Sequence, residues 1–123
     1  MELTGIQNLT RPLKQALRVH YCESFFCKLR GLSFKGSLAL DKGLLLVESK
    51  PSRLNTSIHM LGMFFDLSIV WVDGQFKVVD KILARRWLTF AFPRKPAVYV
   101  IECAVSRYED FQIGDQLALE QAG

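Results

Sequence analysis

The chain contains no run of about 18 uncharged apolar residues, the minimum for a helix that crosses a membrane. Its first segment, MELTGIQNLTRPLK, has no apolar stretch of the kind that drives secretion, so a soluble cytoplasmic protein without a membrane partner is expected. Cysteine is scarce: Cys22, Cys27 and Cys103 are an odd number without a Cys-x-x-Cys pair. Neither a disulfide framework nor a zinc ribbon is indicated, and free buried thiols are expected. The net charge of +4 is scattered, with short groups at Arg85-Arg86 and Arg94-Lys95. Nucleic-acid binding asks for a basic stripe interleaved with exposed aromatics, so nucleic acid is not expected as a partner. Gly-x-Ser-x-Gly is absent, and Gly31, Gly36 and Gly43 fit neither spacing of a phosphate loop. With two histidines, and with Ser24, Ser33 and Ser57 outside any motif, nucleophilic catalysis has little to work with.

What is present is a globular composition, 50% hydrophobic and 23% charged, over 123 residues. A single domain over residues 1–123 is expected, long enough to bury one core without staples. Leu17, Val19 and Tyr21 alternate with Arg18 and His20, which reads as a strand. From Glu23 the spacing becomes helical through Phe26, Leu29 and Arg30 to a capping Gly31, which reads as a helix of two turns. Leu44 to Val47 reads as a strand, and PSRLNTS as a loop. DLSIVWVDGQFKVVDKIL reads as a β-hairpin with a two-residue type I′ turn at Asp73-Gly74. Its first arm is apolar on both faces, with Leu67, Ile69 and Trp71 opposed to Ser68, Val70 and Val72, as in an interior strand. RRWLTFAFPRKPAVYVIECAV reads as a second hairpin turning at Pro93 to Pro96, and IGDQLAL as a turn and a last strand. The expected fold is mainly β, a compact antiparallel barrel or sandwich with one short helix near the N-terminus.

The series NLT, RGLS, KGLLL, SIH followed by Met63, IVWVDG, VYVIE and IGDQL resembles DUF192, also called UPF0127, a family of small proteins of uncharacterised function. The resemblance runs from about residue 6 to residue 118 in consistent order. It implies a small mainly β domain with an early short helix, and it transfers no enzyme activity. Departures mark a diverged member: the family's Pro-x-Asp falls on Asp66-Leu67-Ser68, its threonine after the histidine is Met60, and its late glycine falls at Val105-Ser106. If the aspartate lost at Ser68 is functional in the relatives, their activity is lost or changed here.

His59, Met60 and Met63 suit a soft metal such as Cu(I), with Cys22 or Cys103 as an added thiolate, although methionines in an apolar loop ordinarily fill a core. Glu102 shares a strand face with Val98 and Val100, where a carboxylate is costly unless paired, and Arg30 is its candidate partner in a structural ion pair. Arg85, Arg86 and Trp87 could form a cationic and aromatic patch for an acidic partner or a sugar, or simply a solvated loop. The first functional reading is a non-enzymatic module that binds a small molecule, peptide or glycan with Arg30, His59, Met63, Asp66, Ser68 and Glu102, without metal or other cofactor. Two others are a metal-handling or hydrolytic protein using His59 with Asp66 or Glu102, and a homo-oligomer joined through Trp87 to Phe92.

Overall fold

A computed structural model describes residues 3–23 and 38–120. Its strands are β1 (Leu3–Asn8), β2 (Arg18–Cys22), β3 (Lys42–Ser52), β4 (Ile58–His59), β5 (Leu67–Val72), β6 (Val78–Ala84), β7 (Phe90–Ala91), β8 (Ala97–Cys103) and β9 (Leu117–Leu119). Seven of them form one sheet in the order β6-β5-β8-β3-β2-β1-β9, and β4 pairs with β7 as a separate ribbon. The fold is mainly β, as expected, with one parallel pair, β2 on β3, among antiparallel neighbours. The sheet curls until its edges meet, through the Lys77 and Gln116 bridge and the Val78 N–H donating to the Asp115 carbonyl. The expected early helix lies outside the described residues, and a 3-10 helix at Val105–Asp110 is the helical element within them.

Strand alternation divides the apolar residues between two cores, one on each face of the sheet. Val70, Val72, Leu45 and Ile101 face one core with Val19 and Phe111. Leu67, Ile69, Trp71, Leu44 and Val100 face the other with Met60 and Met63. All six residues of β5 are buried, because β6 and β8 flank it and both faces are covered. Gly43 allows β3 to approach β8 closely: a Cβ there would lie 2.6 Å from the Glu102 carbonyl oxygen.

Three local readings are corrected. The β5–β6 hairpin forms, but the left-handed residue of its turn is Phe76, φ 63°, rather than Asp73 or Gly74. The Asp73 carboxylate accepts from the N–H groups of Gln75 and Lys77 and makes a longer loop favourable. The second hairpin does not form: β7 pairs with β4, while β8 runs between β3 and β5. Alternation could not choose among these partners, since β8 is apolar on both sides. Finally, Cys22 is disulfide-bonded, with its partner outside the described residues, whereas Cys103 is a free buried thiol as expected.

Buried polar groups fasten the seam. The Asp115 carboxylate accepts from Asn8 Nδ2 at 2.8 Å, Arg11 Nε at 2.8 Å and the Gln112 N–H at 2.9 Å. Gly114, φ 95°, makes the turn that delivers it. Arg107, 3% exposed, donates to the carbonyls of Gln15, Ala16 and Leu40 and pairs with Asp110, which ties the 3-10 helix to two loops. Burial alone would raise the Asp115 carboxyl, but the hydrogen bonds from Arg11, Asn8 and Gln112 outweigh it and hold the group below its ordinary 3.8. Asp115→Ala leaves the Asn8 amide with only the Asp110 carbonyl to donate to and orphans the Gln112 N–H, and is expected to lower the unfolding free energy by about 3 kcal/mol in urea melts. Because the folded carboxyl lies below 3.8, its stabilisation is complete above that pH and is lost as the pH falls below it. The variant lacks that acid-dependent loss, and an unchanged urea midpoint would contradict the role.

Candidate functional site

The ribbon of β4 and β7 has unlike faces. Ile58 and Ala91 are paired across it and pack inward on the second core. His59 and Phe90, the other pair, therefore point outward, and both are exposed. Phe92 follows on the same side, edge-on to Phe90 with ring centroids 5.3 Å apart. The small residue has taken the inner position and the two rings face solvent, the reverse of ordinary strand patterning.

Beside the ribbon, residues 85–89 form a turn pinned by a methionine backbone. The Trp87 N–H donates to the Met60 carbonyl at 3.0 Å, and the Met60 N–H donates to the Thr89 carbonyl at 2.9 Å. The Met60 side chain, 2% exposed, is locked in the second core. The Arg86 N–H donates to Asp66 Oδ1, and the Arg85 N–H donates to Thr89 Oγ1, each at 2.8 Å. Trp87 is held at φ 64°, a conformation that strains a bulky side chain, and its exposed ring meets Phe64 edge-on at 5.7 Å. Strain of this kind persists where surrounding contacts over-determine it, as Met60, Asp66 and Thr89 do here.

The residues singled out from the sequence separate into three groups. Met63 and Glu102 face the second core. Ser68 is fully buried on the opposite face and donates to the Val105 carbonyl at 3.1 Å. An ionised aspartate at position 68 could not make that donation, so the serine has a structural reason to be there. His59 and Asp66 are exposed at the ribbon and its turn. Arg30 lies outside the described residues. His59 and Glu102 thus share no face, and among the described residues no three His, Cys, Asp or Glu side chains gather as a metal site would need. A cavity of about 370 Å³ beside Ile6, Asn8, Leu13 and Glu120 includes none of these candidates.

Glu102 sits between Leu44 and Ile69 in the strand register, and its carboxyl makes no salt bridge or hydrogen bond with a described residue. Burial pushes its carboxyl up from 4.5 to about 7. The folded protein then holds this proton between those values while the unfolded chain has lost it, so stability falls as the pH rises from 4.5 toward 7. Glu102→Gln is expected to match the parent below pH 4.5 and to exceed it above pH 7, by about 1–3 kcal/mol in urea melts. A variant less stable than the parent above pH 7 would instead show a tying interaction at Glu102.

Residues 7–119 match the family model described as "DUF192: Uncharacterized ACR, COG1430". UPF0127 proteins of Thermococcus gammatolerans and Thermococcus sibiricus are 35% and 33% identical to the chain over 81% and 84% of its length. The chain covers 65% and 66% of those two relatives, slightly less than two thirds of each. A crystal structure from Sinorhizobium meliloti 1021, described as that of a proposed transcription regulator, superposes with a TM-score of 0.81 at 18% identity, covering 96% of this chain and 92% of that one. A protein of unknown function from Novosphingobium aromaticivorans superposes at 0.80 with 16% identity, covering 94% of this chain and 83% of that one. At such identities the two structures speak for the fold alone. The matches to the family model and to the UPF0127 proteins establish that the chain belongs to the DUF192 family.

Proposed function

We propose that the protein is a non-enzymatic binding module, and that its binding face is the outer side of the β4–β7 ribbon together with the turn at 85–89. The observation that carries this reading is the rigid display of Trp87, strained in its backbone yet 48% exposed, against Phe64, with Phe90 and Phe92 exposed on the adjoining ribbon. Aromatic rings and arginines are what dominate binding surfaces energetically, and Arg85 and Arg86 flank the ring in sequence. His59 and Asp66 belong to this face. Met63 supports it from the core beneath, and Ser68 is a fold residue.

Glu102, with a carboxyl near neutrality and no described partner, favours a second reading in which it moves a proton. A hydrolytic site built on His59 has less support, since the histidine points away from the face that holds Glu102. The disulfide at Cys22 weighs against the cytoplasmic residence expected from the sequence, because thiols are kept reduced in that compartment.

The test is an amide chemical-shift map of the labelled protein, titrated in turn with polyglutamate, a sulfated glycan and oligothymidylate. Shifts clustered on residues 59–64 and 85–95 are expected. Trp87→Gly should abolish them without lowering the melting temperature, since glycine relieves the strained conformation. Shifts gathered around Glu102 would favour the second reading, and silence with every probe would contradict a polar or charged ligand at this face.

A further inference from the structure

The face carries the chemistry of its partner. We propose that it seats the protein on the surface of an anionic lipid bilayer, an inference that rests on the binding-module reading. The first support is charge. Between Lys81 and Glu102 the chain contains Arg85, Arg86, Arg94 and Lys95 and no acidic residue; Lys81 itself belongs to the other face of the sheet, where its ammonium donates to the Tyr108 carbonyl and lies over the Tyr108 ring. Arg85, Arg86 and Lys95 are exposed and make no salt bridge among the described residues. Arg94 keeps 75% of its side chain exposed although its Nε lies 3.6 Å from Asp80. Arg53, whose Nε donates to the Pro93 carbonyl at 2.9 Å, adds a cation at the same end. Asp66, the carboxylate bordering the face, is occupied by the Arg86 N–H.

The second support is the kind of apolar group on display. Leu61 and Leu88 are 61% and 71% exposed, more than the neighbouring Trp87. An exposed leucine gains from hydrocarbon, whereas it has no ring to stack on a nucleotide base or a sugar. Trp87, between Arg86 and Leu88, has the amphipathic ring that settles at the level of lipid headgroups. Apolar residues interspersed with Arg and Lys form the pattern of segments that lie in a membrane interface.

The third support is the weakness of the rival partners. A second copy bound through a two-fold axis would set this face against itself, cations near cations, with no acid in 81–101 and Asp66 alone of the residues assigned to the face to answer them. Nucleic acid would satisfy the charges and leave Leu61 and Leu88 without a role. The absence of a long apolar run, which led to the expectation of no membrane partner, speaks to spanning a bilayer and not to resting on one.

The test is co-sedimentation of the full chain with phosphatidylcholine vesicles that contain or lack phosphatidylglycerol, with tryptophan emission read alongside. Binding is expected with phosphatidylglycerol alone, weakened by salt, with a blue shift absent from Trp87→Phe; Trp71 is already fully buried and should not respond. Reversing Arg85 and Arg86 to glutamate should cost at least roughly 30-fold in partitioning, the loss expected from two cations near an anionic surface. Leu88→Ser, at an exposed position that leaves the fold intact, should also weaken it. No partitioning into either vesicle would overturn the lipid proposal. If oligothymidylate or polyglutamate still shifts residues 85–95 in that case, the binding face stands with a different partner. If those probes are silent as well, the face itself falls.

Discussion

The carboxylate of Asp115 is the constraint on which the sheet depends. It is delivered by the Gly114 turn just before β9, accepts from Asn8 at the end of β1, and reaches Arg11 in the loop beyond. Without it, the short β9 would have few interactions to hold it on β1, and the meeting of the β6 and β9 edges would open. With the seam shut, the buried polar group costs little, because each donor aimed at it is answered. Arg107 does similar work with opposite charge, capping the carbonyls of two loops.

This closed sheet accounts for the residues that mark the family. The asparagine of NLT and the aspartate of IGDQL are one hydrogen-bonded pair, the glycine of KGLLL admits the neighbouring strand, and the glycine of IGDQL makes a left-handed turn. These motifs specify the fold. The feature that the fold does not explain is the ribbon: its inner side is satisfied by Ile58 and Ala91, while its outer side carries rings that contribute nothing to either core. The backbone of Met60 joins the two, since its side chain is core and its N–H and carbonyl clamp the turn that displays Trp87.

The alternating strands were legible in the sequence, because in β5 the spacing that sets Leu67, Ile69 and Trp71 apart from Val70 and Val72 is the division of the strand between the two cores. So were the last turn at Gly114 and the core identity of the methionines. Strand partners were not, because β8 is apolar on both sides and its neighbours come from distant segments. The side taken by Phe90 and Phe92 was not fixed by their spacing, since alternation decides which residues share a face and says nothing of which face is covered. The polar seam left no local signal, as Asn8 and Asp115 are separated by most of the chain. Arg85, Arg86 and Trp87 were visible as a patch, but their display depends on hydrogen bonds to the Met60 carbonyl and the Asp66 carboxylate that no local pattern encodes.

The central claim is that an aromatic ring stands in water amid positive charge, held there by the fold. Collisional quenching of tryptophan emission tests it directly, comparing anionic iodide with cationic caesium. Trp87 should be quenched strongly by iodide and weakly by caesium, while Trp71, with no exposed surface, resists both. Equal protection of both tryptophans, or better quenching by caesium, would contradict the account.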